Sequence, residues 1–181
     1  MLKRQKDLLR AVTSELRRTF AGTVDPNGVA HRGDLDRELE RLGISPDGTI
    51  TPIDALPNPS APERRARYVA EATLSALPAA ERATARAELV ERAAYSWINR
   101  LLALRAMEAR GLVEETLRAN PDYEGLSEAL FVLRQTRPEQ AAGPDAGWWA
   151  VVADACRAHT AALPGLFDLD DPGAALRPSV P

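Results

Sequence analysis

The chain predicts an all-α protein: an irregular multi-helix bundle around one long central helix at about 79–110, with proline-rich loops between elements. Three observations carry this expectation. Among 181 residues, Ala supplies 32 while Leu, Ile, Val and Phe together supply 40, and aromatics are only 5%; strong helix formers dominate and strand formers are sparse. Apolar residues recur at three- and four-residue spacing along several segments. One stretch of about thirty residues has neither proline nor glycine.

In chain order, residues 2–20 read as an amphipathic helix, with Leu9, Val12, Leu16 and Phe20 on one face and Lys3, Arg4, Lys6, Arg10, Arg17 and Arg18 elsewhere. Gly22 and the turn Asp25-Pro26-Asn27-Gly28 end it. A short helix follows at 34–42, with Asp34 as N-cap, Leu35, Leu39 and Leu42 on one face and Gly43 as its stop. From Ile44 to Pro62, five prolines and Gly48 forbid a long regular element, so an extended loop that wraps the core or moves is expected, and with it the boundary within the chain. Helix resumes at 63–77 with Tyr68, Val69, Ala72 and Ala76 inward, and Pro78 opens the central helix. That helix is apolar on nearly every side between Ala93 and Met107, which implies burial by neighbours on several faces. Gly111 ends it in the left-handed conformation, with Leu112 turning back on Met107. Helices at 112–119, 126–136 and 147–162 complete a helical domain over 1–163: N-terminal helices to 43, the proline-rich loop 44–62 and a helical core 63–163. Residues 164–181, with four prolines and Asp168, Asp170 and Asp171, read as a linker rather than a packed element.

Composition narrows the function classes. Net charge is −3, which is no global argument for binding polyanions, and without an apolar run of membrane length or a signal peptide the expectation is a soluble, cytoplasmic protein. The single Cys156, read as a small buried hydrophobe, excludes an internal disulfide, and His31 and His159 stand apart from any metal-ligand spacing. There is no phosphate-binding glycine loop, nucleophile elbow or His-Glu-x-x-His string, so catalytic, cofactor-binding and metal residues are expected to be absent. Asp168, Asp170 and Asp171 lack the glycine and distal glutamate of a calcium loop. Lys3, Arg4, Lys6, Arg10, Arg17 and Arg18 are a weak candidate for contact with duplex DNA. Within the central helix, Asn99, Arg100, Arg105 and Glu108 need partners if buried, and Arg105 and Glu108 stand at i, i+3. Trp97, Trp148 and Trp149 are core or interface anchors.

The segment Ala94-Tyr95-Ser96-Trp97-Ile98-Asn99-Arg100-Leu101-Leu102-Ala103-Leu104-Arg105-Ala106-Met107-Glu108-Ala109-Arg110-Gly111-Leu112 resembles the N-terminal helical region of adenine-specific DNA methyltransferases of the BREX/Pgl phage-defence type and related single-chain restriction-modification enzymes. Tyr95, Trp97, Asn99, Arg100, Leu101, Ala103, Leu104, Arg105, Met107, Glu108 and Gly111 match that pattern; Ser96, Ile98 and Ala106 depart from it. The likeness covers about a tenth of the chain. It implies a parent that transfers a methyl group from S-adenosylmethionine to a flipped adenine, through a Rossmann-like domain and an Asn-Pro-Pro-Tyr motif. Neither is matched here: Asn120-Pro121-Asp122-Tyr123 has the wrong third residue. The implied role is a non-catalytic N-terminal scaffold and interaction domain, with Tyr95, Trp97, Asn99, Arg100, Arg105 and Glu108 as candidate packing or domain-interface residues. Its partners would be the rest of the methyltransferase, duplex DNA and other defence-system proteins. The competing readings are a stand-alone helical protein-interaction module and a helical DNA-binding regulator.

Overall fold

A computed structural model describes residues 3–178; the expected helix start at Leu2 and the last residues, 179–181, lie outside them. The protein is mostly α-helical. In chain order run α1 (Lys3–Ala21), β1 (Gly22–Val24), β2 (Ala30–Arg32), α2 (Asp34–Arg41), α3 (Ala61–Ser75), α4 (Ala79–Glu108), α5 (Glu128–Thr136), α6 (Trp148–Thr160) and α7 (Pro164–Phe167). At ~1.5 Å per residue the 30 residues of α4 give it a length of about 45 Å. The chain divides into two compact units, residues 3–98 with 171–178 and residues 99–170. The boundary therefore falls inside α4 and not in the proline-rich loop, because that loop is bonded into the first unit.

The first unit begins with α1, of which only Phe20 is buried. Asp25 accepts the amides of Asn27 and Val29 at 2.8 Å each, and this turn brings β1 and β2 together as an antiparallel hairpin, Gly22 opposite Arg32, where a turn alone was expected. Gly33, not Asp34, is the N-cap of α2; Asp34 occupies the first helical turn. Leu35, Leu39, Leu42 and Ile44 are fully buried, as are Leu74, Ala93 and Trp97.

The segment 44–62 wraps this core. Ser45 bonds Thr49 across a turn, Ile44 bridges Ile50, and Gly48 sits with φ +82° so close to α4 that a Cβ there would lie 2.4 Å from Cβ of Arg82. Two buried arginines hold the segment. Arg67, 1% exposed, donates to the carbonyls of Leu42 and Thr51, each at 2.6 Å. Arg86 donates to the carbonyls of Ile44 (3.2 Å) and Asp36 (2.8 Å) and to the Asp36 carboxylate. This corrects the expected inward face of α3: Tyr68 is 73% exposed, Ala72 and Ala76 are exposed and Val69 is half-buried. The buried face is Ala66, Arg67, Ala70 and Leu74, because it is the guanidinium that the loop needs.

In the second unit α4 ends with the expected backbone stop, Gly111 at φ +64° and the Leu112 amide on the Met107 carbonyl at 3.0 Å. The expected helix at 112–119 does not form; the amides of Thr116 and Leu117 are taken by the Glu108 carboxylate instead of by carbonyls one turn back. Leu130, Leu133 and Val151 form a core to which Trp148 and Ala141 are packed. Gly147 opens α6 at φ +88°, where a Cβ would come within 2.7 Å of Leu133 Cδ2.

The expected linker is also corrected. Residues 164–178 carry α7 and a 3₁₀ turn, and Phe167, Ala174, Ala175 and Leu176 are buried; apolar residues between the prolines pack, so the stretch is not a free spacer. No helix among the described residues is long and apolar enough to cross a membrane.

Two outcomes are expected. Arg67→Met removes the donor from the buried Leu42 carbonyl and the half-buried Thr51 carbonyl and lowers unfolding free energy by about 2–4 kcal/mol, whereas Arg92→Met, on the exposed face of α4, stays within about 0.5 kcal/mol; urea denaturation measures both. Burial pushes the Asp36 carboxyl up, but hydrogen bonds from Arg86 and Arg32 overcome this and hold it below its ordinary value. Its contribution is therefore complete above the ordinary aspartate value of 3.8 and is lost as pH falls through the lower folded-state value. Asp36→Asn should flatten the acid limb of the stability-pH curve.

Candidate functional site: a helix frame, a cleft and a basic helix

The segment that carries the resemblance lies in the second half of α4, where its residues divide by face. Trp97 is 1% exposed and its indole N–H donates to the Leu176 carbonyl at 2.7 Å, fastening the C-terminal segment of the first unit. Arg100, also buried, donates to the Asp168 carbonyl at 2.7 Å. Glu108, buried among apolar neighbours, accepts from the amides of Thr116 and Leu117 and pairs with Arg105 at 3.4 Å. So the i, i+3 pair does form, with Arg105 half out in solvent. Tyr95, 70% exposed, takes no part in the core, and Asn99 is half-buried. Of six candidate packing or interface residues, Trp97, Arg100 and Glu108 each hold a different backbone segment, while Tyr95 faces outward.

Other polar groups are likewise committed to structure. Arg32 pairs with Asp36 and Glu40, Arg41 with Glu38 and Glu63, and Glu63 also accepts the Ser60 amide at the start of α3. In Asn120-Pro121-Asp122-Tyr123 the Asn120 side chain accepts from the Asp122 amide at 3.1 Å and donates to Glu115 at 2.9 Å. The Tyr123 hydroxyl donates to Glu128 at 3.0 Å, which pushes its phenol up. These four residues form a turn with its own caps, not a base-binding motif. Asp168 and Asp171 cap amides of Asp170 and Gly173, and among the described residues no group of three or more His, Cys, Asp or Glu is placed to hold a metal. Cys156 is fully buried. A Rossmann-type site for S-adenosylmethionine is built on parallel strands with helical crossovers; among the described residues the strands β1 and β2 form an antiparallel hairpin.

Sequence reasoning missed a cleft in the second unit. It lies between residues 113–116, α5 and α6, with a volume of about 360 Å³, at the low end of the roughly 300–1,000 Å³ of ligand sites. Val113, Ala129, Val132, Leu133, Val151, Ala155 and Ala158 make its walls; Glu114, Arg137, Asp154 and His159 make its polar margin. Arg137 donates to Asp154 at 2.7 Å and Arg157 to the other oxygen of the same carboxylate at 3.0 Å. Small residues at i, i+4 and i+7 on α6 (Val151, Ala155, Ala158) were the available signal, indistinguishable in sequence from a core face.

The basic residues of α1 are exposed along the helix. Arg17 pairs with Glu91 at 2.8 Å and Arg18 with Glu15 at 3.4 Å. Leu8, Leu9 and Val12 are 65%, 45% and 41% exposed, so the apolar face of this amphipathic helix has no intramolecular cover along most of its length.

Compared with models of protein families, with curated proteins and with solved structures, the chain matches none.

Glu108→Ala removes the acceptor for two amides at once. It should cost about 2–4 kcal/mol and speed hydrogen exchange at Thr116 and Leu117 while leaving Ala94 protected. Equal acceleration at all three amides would show that Glu108 does not anchor this segment locally.

Proposed function

We propose that this chain is the N-terminal helical scaffold and interaction domain of an adenine-specific DNA methyltransferase of a phage-defence or restriction-modification system, acting in the cytoplasm, and that it performs no chemistry itself. The observation that carries the reading is the segment 94–112, in which Trp-x-Asn-Arg and Arg-x-Met-Glu fall on one helix. Trp97, Arg100 and Glu108 from it hold backbone of three other segments. Such residues preserve a frame; the outward Tyr95 is the side chain left to meet a partner. S-adenosylmethionine and the flipped adenine belong, in this reading, to the remainder of the parent, with duplex DNA and other defence-system proteins as further partners.

A stand-alone interaction module is the second reading, favoured by the uncovered face of α1 and by the packing of residues 164–178. The coding frame beyond Pro181, checked against the intact mass of the native protein, separates the two. Under the first reading it runs on into a glycine-rich strand-helix turn and Asn-Pro-Pro-Tyr, and the purified parent transfers methyl from S-adenosylmethionine to adenine in duplex DNA while residues 1–181 alone transfer none. A stop codon at 182 would overturn the methyltransferase assignment.

A further inference from the structure

In two turns of the first unit an asparagine or aspartate is followed by glycine, the pairing in which the glycine nitrogen reaches the side-chain carbonyl most freely, and the structure makes the two chemically different. Asp47-Gly48 is held shut. Gly48 is buried against Arg82 and donates its amide to the Ser45 carbonyl at 2.9 Å. The Asp47 carboxylate accepts the Thr49 amide at 2.9 Å, which holds it below its ordinary value, and an ionised carboxylate is a poor electrophile. Asn27-Gly28, at the tip of the β1–β2 hairpin, is open. Both residues are exposed, and nothing lies within 4 Å of the place a Gly28 Cβ would take. Among the described residues no group bonds the Asn27 carboxamide. Asp25 alone holds the turn: its carboxylate accepts the amides of Asn27 and Val29 at 2.8 Å each, and its carbonyl accepts that of Gly28 at 3.0 Å. The other asparagines are unsuited, since Asn58 and Asn120 precede prolines, which have no N–H to lose, and Asn99 lies inside α4.

We propose that Asn27 is a site of spontaneous deamidation in the folded protein, that Asp25 sets its rate, and that Asp47 is spared the equivalent isomerisation. When the Gly28 amide leaves the Asp25 carbonyl and gives its proton to hydroxide, its nitrogen attacks Cγ of Asn27. The N–Cγ bond forms, the Cγ–Nδ2 bond breaks, and ammonia departs with a proton from water, leaving a cyclic imide. Water then opens the ring. Attack at Cγ restores the main chain with aspartate at position 27, whereas attack at the backbone carbonyl carbon routes the chain through Cγ and leaves isoaspartate. The exchange consumes one water and needs no other reagent. Glycine at 28 serves the attack because it leaves the nitrogen unshielded and adopts φ +81° without strain. Either product sets a second carboxylate beside Asp25. Isoaspartate also adds a backbone carbon inside the turn, which the pairing of Val24 with Ala30 and Thr23 with His31 cannot absorb in register. The hairpin thus passes one way from ordered to loosened, driven by time and pH and not by a ligand.

Ageing the full 181-residue chain at mildly alkaline pH, native and in urea, tests this. Peptide mass mapping reads the loss of the amide, and the endoproteinase that cuts before aspartate but not before isoaspartate separates the two products. The native chain should convert at position 27, faster as pH rises, with Asn58, Asn99, Asn120 and Asp47 unchanged; in urea Asp47 should isomerise as well. Amide hydrogen exchange in β1 and β2 should speed up in the converted chain, and Asn27→Gln, which cannot close the small ring readily, should show no such change on ageing. Asp25→Ala should accelerate conversion about tenfold, equivalent to about 1.4 kcal/mol off the barrier, with far-UV circular dichroism checking that its helices remain. An Asn27 that stays intact in the native chain while the chain in urea converts fully would overturn the proposal, since the turn would then be as closed as that of Gly48. So would native Asp47 reacting as fast as Asn27, or Asp25→Ala converting at the wild-type rate.

Discussion

Two buried guanidinium groups hold the first unit together, and they do so because of what proline lacks. Between residues 44 and 62 five positions are proline, so the segment is poor in N–H donors but keeps every carbonyl. Carbonyls drawn against a core must be paired or cost free energy. Arginine is the complementary group, all donors and no acceptor, with a planar fork that reaches several oxygens at once. Arg67 and Arg86, from α3 and α4, meet the carbonyls of Leu42, Ile44 and Thr51. Removal of either would leave oxygens without donors in the interior, so burial of Leu39, Leu42 and Ile44 depends on them as much as on apolar contact.

The same economy of polar groups recurs in the second half of α4. The Trp97 indole, the Arg100 guanidinium and the Glu108 carboxylate are buried in one helix, and each bonds main-chain atoms of another segment. A side chain spent on backbone is not free for proton transfer or nucleophilic attack, which is why these residues describe a frame and not an active centre. Three members of the pattern, Trp97, Arg100 and Glu108, are thus staples for other backbone segments, and Tyr95 points outward.

Apolar surface bordered by charged side chains lies along α1 and at the cleft. Alone, α1 buries one side chain, Phe20, and leaves a leucine- and valine-bearing face in solvent, which a monomer has little reason to keep. The cleft between α5 and α6 has aliphatic walls and a margin of mixed charge, where Arg137 and Arg157 pair with Asp154.

The sequence by itself determined the helical class and most element positions, since alanine and leucine at helical spacing, glycine stops and proline starts act locally: α2, α4, α5 and α6 lie within a few residues of their expected ends. It also placed Glu108 against Arg105, because an i, i+3 relation is contained in one helix. Only tertiary structure decided which face of α3 turns inward, for that depended on a loop twenty residues upstream needing a donor. It decided that 112–119 would not coil, as the Glu108 carboxylate outbid the local carbonyls for two amides. It decided that residues 164–178 pack, although their prolines and aspartates read as a spacer. And it made the cleft, whose walls come from three segments that no single periodicity joins. Local rules settle what a residue can do with its neighbours in the chain; which buried donor meets which buried acceptor is settled only when distant segments compete for the same atoms.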